Sequence, residues 1–165
     1  MAQSTINSDL YVRGRLTPTQ LDIPSGTVDN AAVSASAAIA TTKLNHRHQA
    51  SYAQPNTTAT TETRTLHVCR AAGTIMEFVA GSIAACAGAA TITLDLKKNG
   101  TSVLTTILTL DNANTARVHE AAVLNSSLTT VAAGDWLEVV ITATAGGGTL
   151  GTGLFCSVQI DVAAS

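Results

Sequence analysis

Two histidines separated by one residue form the pair of side chains best suited to chemistry in this 165-residue chain. In an extended segment, this spacing directs the imidazoles of His46 and His48 to the same side. Imidazole nitrogens bind Fe, Ni, Cu or Zn. In a trimer, three such pairs around the axis could supply the nitrogens for one metal ion. The alternative is that both histidines lie on a polar connector and contact solvent or a neighbouring subunit, so no cofactor is predicted.

Other reactive side chains lack the spacing that catalysis requires. The residue types of a hydrolytic triad occur at Asp111, His119 and Ser126 or Ser127. Nothing in the sequence brings them together, and there is no Gly-x-Ser-x-Gly turn to hold a nucleophile. The glycine-rich segment 146–153 lacks the lysine and the following helix of a phosphate-binding loop. The sequence therefore predicts a protein that is not an enzyme.

The composition is that of a chain with little charge and few aromatic rings. Only 12% of the residues are charged, 45% are hydrophobic and 3% are aromatic. A monomer with so little charge has difficulty keeping its surface free of apolar patches, so we expect an oligomer or a protein bound to a larger partner. The formal net charge of −2 predicts neither nucleic-acid binding nor attraction to a membrane surface.

The cysteines and the first residues indicate the compartment in which the chain is synthesised. Cys69, Cys86 and Cys156 form an odd count without a Cys-x-x-Cys pair, and each lies in or beside an apolar run. A free thiol in such a place usually behaves as a small buried hydrophobe. Residues 1–5 contain neither the basic segment nor the apolar core of a secretory signal. We therefore expect synthesis in a reducing cytoplasm.

Strands are the elements that must position these side chains. Short runs rich in Val, Ile, Leu and Thr follow one another, separated by turn-forming pairs such as Asn99-Gly100. The runs are Leu66–Arg70, Ile75–Val79, Ala90–Lys97, Val103–Leu110, Arg117–Leu124, Trp136–Thr144 and Leu154–Val162. Alternation places Leu137, Val139 and Ile141 on one face of their strand. The number and spacing of the runs predict an all-β sandwich with an aliphatic core.

The first third of the chain predicts an extended arm. Its apolar residues come in brief groups interrupted by proline and glycine, and segments this short cannot bury a core alone. Residues 29–44 allow either a short helix or a strand, and residues 45–65 have the polar composition of a linker. We place the domain boundary so that residues 1–57 form the arm and linker and residues 58–165 form the β domain.

The turns of the β domain resemble those of the C1q and tumour-necrosis-factor family of jelly-roll domains. The segments that carry the resemblance are Lys98-Asn99-Gly100, Gly134-Asp135-Trp136-Leu137 and Gly153-Leu154-Phe155. In that family a Gly-Asp turn precedes a strand beside the trimer axis, and a last strand with Gly and Phe closes the sandwich. The resemblance implies a jelly-roll-like homotrimer. The trimer-interface residues that it implies are Leu137, Val139, Ile141 and Phe155.

Segments of the arm are similar to parts of structural proteins of tailed bacteriophages. Leu21–Val28 and Ala38–Leu44 look like stretches of capsid decoration (cement) proteins, head fibres and some tail fibres, and Lys43–Gln49 extends the likeness. The resemblance implies an arm that grips the capsid and a trimeric β domain that projects outward. The capsid-binding residues that it implies are Leu10, Val12, Leu16, Leu21, Ile23, Leu44 and Tyr52.

These observations together predict a capsid decoration protein. We expect it to bind the outer surface of a tailed-phage head as a homotrimer, with the major capsid protein as its partner. It would be located in the virion after synthesis in the host cytoplasm. The alternative is a trimeric head- or tail-fibre tip that binds a host receptor, and a third possibility is a secreted C1q-like module. The scarcity of aromatic residues favours decoration, because glycan-binding tips usually present aromatic platforms.

Overall fold

A computed structural model describes residues 46–162, which form two antiparallel sheets packed face to face. The strands are β1 (His46–Ala53), β2 (Glu62–Val68), β3 (Gly73–Ala84), β4 (Thr91–Lys98), β5 (Thr101–Ser102), β6 (Leu108–Leu110), β7 (His119–Ala121), β8 (Thr130–Val131), β9 (Trp136–Thr144) and β10 (Thr152–Val162). Across these residues the structure has no helix that could traverse a membrane. The predicted all-β class and the two-sheet packing are confirmed.

The two sheets are built from strands that alternate along the chain. Sheet 1 has the order β1-β10-β3, and both β7 and β8 pair with the free side of β3. Sheet 2 has the order β2-β9-β4, and both β5 and β6 pair with β4. Each of the first four strands therefore lies in the sheet opposite to the one before it. The first strand, β1, pairs along its whole length with residues 155–162 of the last strand, β10.

The core lies between the sheets and is mainly aliphatic. Alternate residues of the long strands point inward, because successive side chains of a strand lie on opposite faces. Phe78 of β3 is the largest side chain with no exposed surface, and its burial contributes about 2–3 kcal/mol. Other side chains with 1% or less of their surface exposed include Ile92, Leu94, Leu96, Leu137, Val139, Ile141, Leu154, Val158 and Ile160.

A two-residue hairpin turn joins β4 to β5. Asn99 and Gly100 have φ values of 50° and 83°, the left-handed region that both central residues of this tight turn require. Asparagine tolerates this conformation and glycine adopts it without steric cost. The side chain of Asn99 also accepts a hydrogen bond from the amide of Trp136 at 3.0 Å. The predicted Asn-Gly turn thus fixes the end of β4 against the start of β9.

The sandwich begins earlier in the chain than the sequence predicts. Residues 46–53, expected to be part of a polar linker, form β1 and pair with β10. The physical reason is that β1 is an edge strand whose residues are largely exposed, so it lacks the apolar alternation of a central strand. Residues 46–53 are therefore a strand of sheet 1. The Ala-rich segment 29–44 lies outside the described residues.

Candidate interaction surfaces

Of the four residues predicted at the trimer interface, three are buried in the core and one lies on an outer face. Leu137, Val139 and Ile141 have no exposed surface and point from β9 into the core of one chain. Their side chains are therefore occupied by intrachain packing and do not reach a surface that a second chain could contact. Phe155 is the member of the set that points away from the core, on the outer face of sheet 1, where it is partly exposed.

Phe155 lies in a group of small and apolar residues that spans four neighbouring strands of sheet 1. Directly paired residues of antiparallel strands share a face, so the register Ala53–Phe155–Gly81 places these three residues side by side. Val79 and Ala121 are paired on the same face. We call this group the apolar patch and define it as Ala53, Val79, Gly81, Ile83, Ala121 and Phe155. It contains no charged residue.

Glycine at two positions of this face lets neighbouring side chains lie flat. A Cβ atom added to Gly81 would be 2.6 Å from Cζ of Phe155, so the ring rests on the backbone of β3. A Cβ atom on Gly153 would be 2.7 Å from Cδ1 of Ile83. Both large side chains of the patch therefore lie over a glycine of the adjacent strand. The result is a low, smooth surface that still leaves 38% of Ile83 exposed.

The rim of the apolar patch differs at its two ends. Next to β7, Val118 and Val123 are 48% and 66% exposed. Toward the far end of β1 and β10 the outer face becomes polar, and Arg47 Nε forms an ion pair with Asp161 Oδ1 at 2.7 Å. The hydrogen bond from Arg47 is also the main reason that the pKa of Asp161 is lowered. The uncharged half of the face is the half that can be covered by protein without desolvating a charge.

The inner side of β1 contributes to a cleft at the open edge of the sandwich. Its volume is about 120 Å³, and it is lined by His48, His67, Cys69, Arg70, Ala71, Ile160 and Val162. The imidazole rings of His48 on β1 and His67 on β2 lie near each other, with centroids 6.4 Å apart and planes inclined by 31°. Burial, followed by the proximity of His48, lowers the pKa of His67.

The predicted pair His46 and His48 is on one side of β1, as the spacing indicates. Their strand partners on β10 are Val162 and Ile160, the second of which is buried in the core. Both histidines therefore point toward the inner side of the sandwich edge. His67 was not among the predicted residues. Simple alternation with the apolar residues Leu66 and Val68 would place it on the outer face, and the register shift between Thr65 and His67 turns it inward, beside Leu137. No group of three or more metal-binding side chains occurs within residues 46–162.

Tyr52, predicted to bind the capsid, contacts β2, the next strand along the chain, which belongs to the other sheet. Its hydroxyl donates to Glu62 Oε1 at 2.6 Å, and the side-chain amide of Gln54 donates to the same oxygen at 2.5 Å. Arg64 Nε donates to Glu62 Oε2 at 2.6 Å. We call these four residues the edge network, because they join β1 and its following loop to β2. The remaining predicted capsid-binding residues lie outside the residues that the structure describes.

The edge network predicts an acid-sensitive contribution to stability. Burial tends to raise the pKa of Glu62, but hydrogen bonds from Tyr52, Gln54 and Arg64 outweigh it, so the pKa is lowered. A lowered pKa in the folded state stabilises the fold above the pKa of the unfolded chain, and this contribution disappears as the pH falls through the folded value. In Glu62→Gln, the free energy of unfolding should therefore decrease less between about pH 5 and pH 3.

The measurement is urea denaturation of both proteins across this pH range. At pH 7 the Glu62→Gln variant should be less stable by about 1–3 kcal/mol, because the network loses its charged acceptor. Asp161→Asn is the matched control, since the pair of Asp161 with Arg47 lies at the exposed surface. An equal change in both variants would contradict the assignment of the effect to the edge network.

Two of the residues considered for a hydrolytic triad, Asp111 and Ser127, form hydrogen bonds within turns. Asp111 Oδ1 accepts a hydrogen bond from the amide of Ala113 at 2.8 Å, and Ser127 Oγ donates to Asn125 Oδ1 at 2.7 Å. His119 is exposed on the edge strand β7.

The thiols of Cys69, Cys86 and Cys156 are free and buried, and burial raises the pKa of Cys156 to about 12.

No protein-family model matches the chain, and no curated protein sequence matches it.

Proposed function

We propose that the protein is a structural component of a virion: a decoration protein that binds the outer surface of a tailed-phage head as a homotrimer and stabilises the shell. The observation that carries the proposal is the apolar patch on sheet 1. Half of an outer sheet face with no Asp, Glu, Lys or Arg among its residues is unusual where the face meets only water, because the water-facing side of an antiparallel sheet is normally polar. His119, the register partner of Gly81, borders the patch on this face. The proposal assigns that face to contacts between copies of the chain.

The strand order supports a jelly-roll arrangement of the β domain. Strands β1 to β4 pass back and forth between the two sheets, and β9 and β10 return beside β2 and β1. Wrapping of strand pairs around a common core in this manner is characteristic of double-sheet jelly rolls. The order also explains why β10 carries the centre of the patch, since it lies between β1 and β3 in sheet 1.

The trimer contact is proposed to use the apolar patch together with the exposed valines beside β7. Val79 and Phe155 are partly exposed, Ile83 is 38% exposed, and Val118 is 48% exposed. Burial of apolar surface contributes about 25 cal/mol per Å² before the costs of association are subtracted. Because the patch is flat and contains small residues, three copies can approach closely around an axis.

The arm is proposed to bind the major capsid protein. The similarity of residues 21–28 and 38–44 to phage structural proteins supports this role, as does the series of apolar residues between Leu10 and Ile23. Joining three arms in one trimer makes the second and third contacts effectively intramolecular. Weak individual contacts can therefore give firm attachment to a shell. Bridging of adjacent capsid subunits would resist the pressure of packaged DNA.

The test is a comparison of shell binding by the full chain and by a chain that lacks residues 1–40. This truncation keeps all of β1 and so leaves the sandwich intact. We expect the full chain to sediment with empty heads and to be present at hundreds of copies per purified particle by mass spectrometry. The truncated chain should remain folded and stay in the supernatant. Sedimentation of both chains to the same extent would contradict the role given to the arm.

A fibre tip that binds a host receptor is the second candidate function. The observation that favours it is Trp136, which is 44% exposed on sheet 2 beside its strand partner Val68, itself 54% exposed. An exposed indole next to an apolar side chain can stack on a sugar ring. The copy number decides between the two functions, because a fibre is present in a few to a few dozen copies per particle.

A further inference from the structure

We propose that His48 and His67 form a two-histidine binding site for a divalent first-row transition-metal ion of the Zn²⁺ class. The two residues lie on strands of different sheets, β1 in sheet 1 and β2 in sheet 2. A shared ion would therefore join the two sheets at the open edge of the sandwich. This proposal concerns one chain and is independent of the proposed trimer.

The separation of the rings fits coordination of a single ion. With a Zn–N distance of about 2.0–2.1 Å and about 1.2 Å from nitrogen to ring centre, each centroid lies about 3.2 Å from the ion. Two rings on opposite sides of the ion would then have centroids about 6.4 Å apart, and about 5.2 Å at the tetrahedral angle. The observed separation of 6.4 Å is at the outer limit of this range. A tetrahedral site therefore requires the two rings to move about 1.2 Å closer, which rotation of the exposed His48 side chain would supply.

The surroundings of the two rings offer space for an ion, and their lining also includes Arg70, whose positive charge opposes a bound cation. They border a cleft of about 120 Å³ that leaves room for an ion and for water. Two imidazoles supply two of the four ligands of a tetrahedral zinc site, and two water molecules would supply the others. Zinc and copper are well served by imidazole ligands. The apolar floor formed by Ile160 and Val162 limits competition from bulk water on one side.

This arrangement differs from a site built on the pair His46 and His48. That pair lies along one strand, and a site on the axis of a trimer would bind one ion for every three chains. The pair His48 and His67 joins two strands of the same chain and binds one ion per chain. Since the whole chain contains only four histidines, each can be replaced in turn.

The experiment is a titration of the full-length protein, freed of metal with a chelator, with ZnCl₂ by isothermal calorimetry. We expect one Zn²⁺ per chain and a rise in Tm of about 3 °C or more at zinc concentrations well above Kd. His48→Gln and His67→Gln should each weaken binding at least tenfold and remove the rise in Tm. His46→Gln and His119→Gln are the matched controls and should bind as the unchanged protein does.

Three results would overturn the proposal. The first is the absence of zinc binding by the unchanged protein. The second is retention of full affinity in His67→Gln, with circular dichroism showing an intact fold. The third is one ion per three chains together with equal losses in His46→Gln and His48→Gln, which would place the ion between the predicted histidine pairs.

Discussion

Replacement of Ile83 by aspartate is expected to convert the proposed trimer into single folded chains. Ile83 is 38% exposed at the end of β3, and its side chain lies over Gly153 within the apolar patch. In the trimer, each of the three contacts between chains would bury one such carboxylate. None of these carboxylates would have a positively charged partner. Leaving one buried charge unpaired at an interface costs about 2–5 kcal/mol. A contact of modest size does not have that much binding free energy to spare, so the chains should separate.

The measurement is the molar mass by light scattering after size-exclusion chromatography. Ile83→Asp should elute with the mass of one chain, 16.8 kDa, and retain its β-sheet circular dichroism. Val68→Asp is the matched control: it adds the same charge at an exposed apolar residue on sheet 2, the sheet opposite the patch. The control should keep the trimer. Dissociation of the Val68→Asp control but not of Ile83→Asp would show that the chains contact one another through sheet 2, and it would contradict the proposal.

Truncation of Phe78 to alanine is expected to cause the largest loss of stability of any single substitution in the sandwich. Phe78 has no exposed surface and faces the interior between β10 and β7. Its removal leaves a cavity that rigid strands close only in part. Substitutions of this kind reduce the free energy of unfolding by about 3–5 kcal/mol.

Urea denaturation at a fixed protein concentration measures this effect, and the concentration is held constant because association contributes to apparent stability. Val123→Ala provides the control, since Val123 is 66% exposed and its truncation should change stability by less than about 0.5 kcal/mol. A loss below about 1 kcal/mol in Phe78→Ala would show that the two sheets do not pack as described.

Strands with a clear alternation could be predicted from the sequence, and strands without it could not. Trp136–Thr144 was predicted with the bounds that β9 has, because Leu137, Val139 and Ile141 alternate with less buried residues. The polar edge strand β1 gives no such signal. In β3 only Ile75–Val79 was predicted, since its continuation through Gly81 and Ser82 is small and buried by close neighbours.

The surfaces were harder to predict than the strands because alternation does not say which face meets the second sheet. Leu137, Val139 and Ile141 share a face, and only the packing of sheet 1 on sheet 2 shows that this face is the core. The proximity of His67 to His48 likewise follows from tertiary packing. His67 is on another sheet, and no spacing rule connects residues that meet across the edge of a sandwich.

The molar mass of the full-length protein in dilute solution tests the central claim most directly. The claim is that copies of the chain cover one another through the outer face of sheet 1. Light scattering at micromolar concentration is predicted to give three times the 16.8 kDa of one chain. A stable species with the mass of a single chain, soluble with its apolar patch open to water, would contradict the account.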